Sequence, residues 1–103
     1  MPDIYGGKEA RSKVVNPVLQ TVVADEPVVI VPANAGRLSC VVAMATQGEF
    51  LLLSYGDTIL TVNTFSVLLQ FGQSYFDDLF LGQIRALSWS GNPIVVNVVE
   101  FKR

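Results

Sequence analysis

The 103-residue chain is predicted to be all-β, a sandwich or barrel of antiparallel strands. From residue 18 onward, short runs of Val, Ile, Leu, Phe and Thr are separated by turn residues about every ten positions, a spacing typical of these folds. No segment sustains an apolar period of 3.6, and the best helical candidate, 74–82, does so too briefly. Segments 83–90 and 94–101 alternate cleanly between two faces, as strands do.

Two regions follow from the distribution of these patterns. Residues 1–17 contain glycines, prolines and few apolar residues, and they are predicted to form an extended arm. Such a segment is either a disordered terminus or an arm that orders against a neighbouring subunit. Residues 18–103 are predicted to form the β domain. Its strands are expected at 19–24, 27–31, 37–45, 49–54, 57–62, 66–71, 82–90 and 94–101.

The turn between the second and third predicted strands ends in an arginine. Pro32 ends a strand because it cannot donate to the ladder, and Asn34 and Gly36 favour chain reversal. Arg37 then has two interpretations. It is a surface residue at the rim, or its planar fork is fixed to main-chain carbonyls or carboxylates of a loop. Asp77 and Asp78 are the acidic candidates.

The last strand is largely apolar on both of its faces. Ile94, Val96, Val98 and Glu100 share one face, and Val95, Asn97, Val99 and Phe101 share the other. Such a strand is covered on both sides, by a second sheet or by another chain. Charged residues make up 16% of the chain, against about 25% in a typical soluble domain. Together these observations favour an oligomer.

The residues that could carry chemistry favour a protein that is not an enzyme. The chain has no histidine, so the commonest general base and metal ligand is missing. Cys40 lies mid-strand and is predicted to be a small buried hydrophobe. Asp77 and Asp78, adjacent on a strand, should point to opposite faces and serve structure. We therefore expect no catalytic residue, metal or cofactor.

Charge and hydropathy limit the expected partners. The net charge of −2 argues against nucleic acid held through its phosphates. Apolar stretches are interrupted before they reach the roughly 20 residues of a spanning helix, so a membrane is not expected. The first 13 residues carry three cations and two acids, whereas no cation lies between Arg37 and Arg85.

Several short motifs follow one another along the chain: Pro32-Ala33-Asn34-Ala35-Gly36-Arg37, Gly72-Gln73-Ser74-Tyr75, the run from Phe80 to Ser88, Ser90-Gly91, and Val96-Asn97-Val98-Val99-Glu100-Phe101. Their order resembles that of a β module of tailed-phage virion proteins, above all small capsid decoration (cement) proteins. The resemblance covers about residues 28–101. It implies a single antiparallel, jelly-roll-like β-sandwich that assembles as a homotrimer and binds the major capsid protein on the outside of the phage head.

Candidate contact residues follow from this resemblance and from the chain's aromatic content. Capsid contacts are expected from the arm, at Tyr5, Lys8, Arg11 and Lys13. Subunit contacts are expected at Phe50, Leu52, Phe71, Phe76 and Phe80. The protein would be made in the host cytoplasm and located in the virion. The alternative is a tail, neck or fibre module of the virion, possibly one that binds a glycan through Tyr75, Phe76 and Trp89.

Overall fold

The computed structural model describes residues 14–15 and 19–102, and these form an all-β protein. The strands are β1 (Val14–Val15), β2 (Leu19–Val23), β3 (Val28–Val31), β4 (Arg37–Met44), β5 (Phe50–Tyr55), β6 (Val67–Gln70), β7 (Ser74–Asp77), β8 (Ile84–Ser88) and β9 (Ile94–Lys102). All pairings between these strands are antiparallel.

The strands form two sheets with the order of a jelly roll. Sheet A has the order β1-β9-β4-β7, and β2 also pairs with β9. Sheet B has the order β3-β8-β5-β6. Because β1 and β2 lie along one edge of β9, they act as a single interrupted strand. The chain then alternates between the sheets as two Greek keys do, which confirms the predicted jelly-roll-like sandwich.

The core lies between the two sheets and is built by alternation along each strand. In β9 the even-numbered residues from Ile94 to Glu100 are buried, while the odd-numbered ones are half-buried on the outside of the sheet. In β8, Ile84 and Ala86 point into the same core. Both alternations are the ones predicted from sequence. The buried cluster comprises Val23, Ile30, Val31, Cys40, Val42, Met44, Leu51, Leu53, Leu69, Ile84, Ala86, Ile94, Val96 and Val98.

Two segments differ from the sequence prediction. The segment 57–62, which was predicted to be a strand, is a loop. An isolated β-bridge between Thr61 and Thr64 closes it. Its β-forming residues find no ladder partner, because Gly56 at φ +59° turns the chain away from the sheet. Conversely, Ser74–Asp77 forms β7, which the sequence did not predict. There the acidic Asp77 points inward and Phe76 outward, so the strand lacks the usual hydropathy alternation.

The sandwich begins earlier in the chain than the sequence predicted, within the segment that was assigned to the arm. Val14 pairs with Lys102 and Val15 with Phe101, so part of the predicted arm belongs to sheet A. The predicted capsid contacts at Tyr5, Lys8, Arg11 and Lys13 lie outside the described residues.

Candidate functional site: the interaction surfaces

Arg37 is buried at one end of the sandwich and ties three segments together. Its Nη1 donates to the carbonyl of Pro32 at 2.9 Å, and its Nη2 donates to the carbonyls of Phe80 and Gly82. The Nη1 atom also lies 3.7 Å from the Glu100 carboxylate. We call these five residues the Arg37 clamp. Of the two interpretations of Arg37, the structure confirms the one in which its planar fork binds main-chain carbonyls.

The carboxylate of the clamp is Glu100, and neither Asp77 nor Asp78 pairs with the guanidinium. The sequence contained the signal for this, because Glu100 shares its face with Ile94, Val96 and Val98. An acidic side chain at an inward position needs a buried cation or hydrogen-bond donors to compensate its charge.

The clamp brings together three segments that belong to the sequence motifs. The Pro32–Arg37 turn, the segment around Phe80 and Gly82, and Glu100 in the last strand are distant in sequence but meet at this guanidinium. A further bond, from the amide of Asn34 to the carbonyl of Leu81 at 2.8 Å, joins the first two. The residues that carry the resemblance to virion modules therefore build the fold.

Asp77 and Asp78 do not form a pair on one strand, because β7 ends at Asp77 and Asp78 lies in the bend that follows. Asp77 is buried, and its carboxylate accepts hydrogen bonds from the amides of Leu79 and Phe80 at 3.2 Å each. Asp78 is exposed. Asp77 thus has a structural role in the β7–β8 loop, which is the kind of role that the sequence favoured.

Replacing Asp77 should loosen this loop. Asp77→Ala leaves two loop amides without their acceptor, and a hydrogen bond to a charged group contributes about 1.5–3 kcal/mol. We expect the free energy of unfolding, from urea denaturation followed by circular dichroism, to fall by about 2 kcal/mol. The matched control is Asp78→Ala, which should change it by less than about 0.5 kcal/mol. Equal effects of the two substitutions would contradict the assigned role.

Cys40 is fully buried between the sheets, as predicted. It lies opposite Asp77 on one side and Glu100 on the other. Burial raises the pKa of its thiol; Arg37 lowers it, and the two carboxylates raise it further. The pKa of Tyr55 is also raised, mainly by burial. A neutral thiol inside the core is a poor nucleophile, because the thiolate is the reactive form.

Alkaline pH is expected to lower the stability through Cys40. Since its pKa is higher in the folded protein, the thiol's contribution is fully present below the unfolded pKa of about 8.5 and is lost as pH rises through the folded value. In urea unfolding at pH 7 and about pH 9.5, the wild type should lose more stability than Cys40→Ala. An equal loss in both proteins would show that the thiol does not contribute.

The outer face of sheet B is partly covered by the protein itself. Residues 56–66, here called the roof loop, connect β5 to β6 across this face. Leu60 of the loop packs on Leu52 and Leu87 to form a second, smaller buried cluster. Arg85 anchors the start of the loop by donating to the carbonyls of Gly56 and Thr58.

The outer face of sheet A has no such cover among the described residues. We call it the A face, and it consists of Gln20, Val22, Ser39, Val41, Ala43, Ser74, Phe76, Val95, Asn97, Val99 and Phe101. These residues are uncharged. The two at opposite edges of the sheet, Val22 and Phe76, are 62% and 59% exposed.

The five predicted subunit contacts separate into two groups. Phe71 and Phe76 are exposed, and Phe50 is half-buried on the outside of sheet B, where its ring meets Trp89 edge-on. Leu52 instead lies under the roof loop, and Phe80 packs its ring against Tyr55 beside the core. These two positions are therefore covered within one protomer. The sequence did not predict the cover of Leu52, because it placed a strand where the roof loop runs.

The three rings considered for glycan binding do not share a surface. Tyr75 points inward and bonds the hydroxyl of Tyr55, whereas Phe76 points outward on the A face. Trp89 lies on the outside of sheet B, against Phe50. A stacking platform made of all three is not assembled in this conformation.

The described residues form neither a metal-binding cluster nor a membrane-spanning helix. Within 14–15 and 19–102, no three His, Cys, Asp or Glu side chains are grouped so that they could hold a metal ion. The same residues include no helix with the length and apolar character needed to cross a bilayer.

Comparison with known proteins supports the fold. No family model and no curated protein matches the chain. A solved structure from Bacillus endospore appendages, which form disulfide-linked pili, is similar with a TM-score of 0.51 and 11% sequence identity. The match covers 99% of this chain and 96% of that chain. At this identity the similarity concerns the fold alone.

Proposed function

We propose that this chain is a structural, non-enzymatic component of a virus particle, a decoration protein that binds the major capsid protein on the outside of a tailed-phage head. The observation that carries this proposal is the apolar, uncharged A face on a chain with few charges. Exposed apolar surface of this extent is typical of sites that other chains cover. The order of the clamp motifs, which resembles that of virion modules, supports the choice of particle.

The reactive side chains of the described residues support a structural function. Cys40 is enclosed in the core, Asp77 is bound to loop amides, and Glu100 faces Arg37. Each of these groups has a structural partner or a structural position that accounts for it. Recognition is therefore assigned to the outer surfaces and to the N-terminal segment.

The proposed mechanism is thermodynamic. Copies of the chain, as a homotrimer, bridge neighbouring capsid subunits, so that several weak contacts add through effective concentration. Preferential binding to the expanded shell stabilises that state by mass action. The basic residues Lys8, Arg11 and Lys13, with Tyr5, are proposed to contact the capsid.

Cryo-microscopy of virus particles that contain this chain tests the proposal. We expect density for the sandwich in many copies on the outer head, at threefold or quasi-threefold junctions. Density confined to the tail, neck or fibre would replace the proposal with the alternative virion module. Particles whose heads bind no copies of the purified protein in a cosedimentation assay would also overturn it.

A second candidate is a subunit of a fibre, favoured by the fold similarity to a pilus subunit over 99% of the chain. Such a fibre would differ in chemistry from disulfide-linked pili. The single cysteine of the sequence is Cys40, which is buried between the sheets and cannot reach another chain without opening the core. Negative-stain microscopy of the purified protein separates the candidates: filaments favour the fibre subunit, and discrete particles favour the decoration protein.

A further inference from the structure

We infer that the A face is the surface through which copies of this chain associate with one another. The inference rests on the proposed function only for the premise that the protein acts as an oligomer. It concerns the contact between two copies and does not depend on the number of copies being three. It goes further by naming the face and its occupant.

The A face has the composition of a surface that is covered. Its residues lie in rows across the strands. One row pairs Val22 with Val95, and another pairs Val41 with both Val99 and Phe76. Both rows are apolar and end in an exposed edge residue, Val22 or Phe76. Water contact with such rows is unfavourable, and packing against another apolar surface removes it.

Between the apolar rows lies a row of neutral polar side chains. Asn97 is at its centre, between Gln20 and Ala43, and Ser74 follows on the next strand. The Oδ1 atom of Asn97 is buried yet accepts no hydrogen bond from any described residue. Buried polar atoms normally have a partner. A facing copy would bring amide and hydroxyl donors of its own middle row to this atom.

The distribution of charge selects a second copy as the occupant. At any rotation axis the same residue of each subunit approaches its own copies, and like charges there repel. The exposed acids Asp25, Glu26, Asp57 and Asp78 lie in turns at the two ends of the sandwich. The A face has no described charged side chain. Two copies can therefore meet on it without bringing like charges together.

The size of the A face reaches the minimum for a specific contact. Four strand positions at about 4.8 Å and the eight residues of β4 at about 3.3 Å give a face of roughly 19 by 26 Å. Each copy would therefore contribute about 500 Å², and a pair about 1,000 Å², which is the lower bound for specific interfaces. The outer side of sheet B also exposes apolar side chains, among them Val29, Ile59 and Leu68, but it carries the charged Arg85 and is crossed by the roof loop.

The test places a charge on each outer face in turn. Val22→Lys and Phe76→Lys alter the A face, and Val29→Lys and Leu68→Lys are matched controls at exposed positions on the outside of sheet B. Size-exclusion chromatography with light scattering should give an oligomer for the wild type and for both controls. The two A-face variants should be monomers, or dissociate at concentrations at least about a hundredfold higher than the wild type does.

Ser74→Lys keeps the test open if either A-face variant fails to fold, since it replaces an exposed polar side chain in the middle row. A wild type that is monomeric at about 100 μM, a concentration at which weak complexes form, would overturn the inference. So would folded A-face variants that keep the wild-type mass.

Capsid binding is measured separately by cosedimentation with phage heads. An oligomer that does not bind heads therefore overturns only the proposed function, and a monomer that binds them overturns only this inference.

Discussion

Arg37→Ala is expected to lower the free energy of unfolding by about 3–5 kcal/mol, the usual effect of removing one partner from a buried ion pair. Arg37 is 3% exposed, and its loss removes three hydrogen bonds to carbonyls and takes the guanidinium away from the buried Glu100. In a domain of about 100 residues, this corresponds to a fall in Tm of roughly 15–30 °C. Thermal unfolding followed by circular dichroism at a fixed protein concentration measures it.

Arg85→Ala is the matched control for this prediction. Arg85 also donates to two carbonyls, those of Gly56 and Thr58, but it is only half-buried and has no carboxylate partner among the described residues. We expect its replacement to cost no more than about 1.5 kcal/mol. If Arg37→Ala costs as little as this control, the clamp does not hold the fold together.

A double substitution separates the charge of the clamp from its hydrogen bonds. Removing both members of a buried pair is less damaging than removing one, since no uncompensated charge remains. We therefore expect Arg37→Ala with Glu100→Leu to be more stable than Arg37→Ala alone. The remaining deficit measures the lost attachment of the loops around Pro32 and Phe80.

The alternation of apolar residues made most of the sandwich predictable. The inward positions of β8 and β9 and the burial of Cys40 follow from a period of two. Each of these positions depends only on the strand to which it belongs. Local pattern is therefore enough to predict them.

The two wrongly assigned segments depend on neighbours that are distant in the sequence. The segment 57–62 has strand-forming residues, yet it crosses over Leu52 and Leu87 as a loop. This path is favoured because it buries the two leucines. The strand β7 carries Asp77 inward, because the loop that follows offers amides to its carboxylate. Neither requirement is visible in the local hydropathy.

Of the A face, the sequence predicted only the part that the last strand contributes. The outward residues of β9 indicated cover by a second sheet or another chain, but the sequence could not place Val22 and Phe76 on the same face. Their positions depend on the register of β2 and β7 against β9 and β4. Register over such separations is a tertiary property.

The roof loop should depend on Leu60 for most of its stability. Leu60 is 5% exposed and closes the cluster with Leu52 and Leu87. Truncation to alanine leaves a cavity above sheet B, and buried leucines typically lose about 2–5 kcal/mol in this way. Because a surface loop can partly collapse into the cavity, we expect Leu60→Ala to cost about 2–3 kcal/mol.

The adjacent Ile59 is the control, since it is 69% exposed and belongs to neither buried cluster. Ile59→Ala should change the stability by less than about 0.5 kcal/mol. Hydrogen exchange adds a local measurement: Leu60→Ala should speed exchange of the amides of Thr61, Thr64 and Ser66, which are bonded within the loop or to β5. Unchanged exchange at these amides, or equal costs for the two substitutions, would mean that the loop is held by Arg85 and its turn rather than by the leucine beneath it.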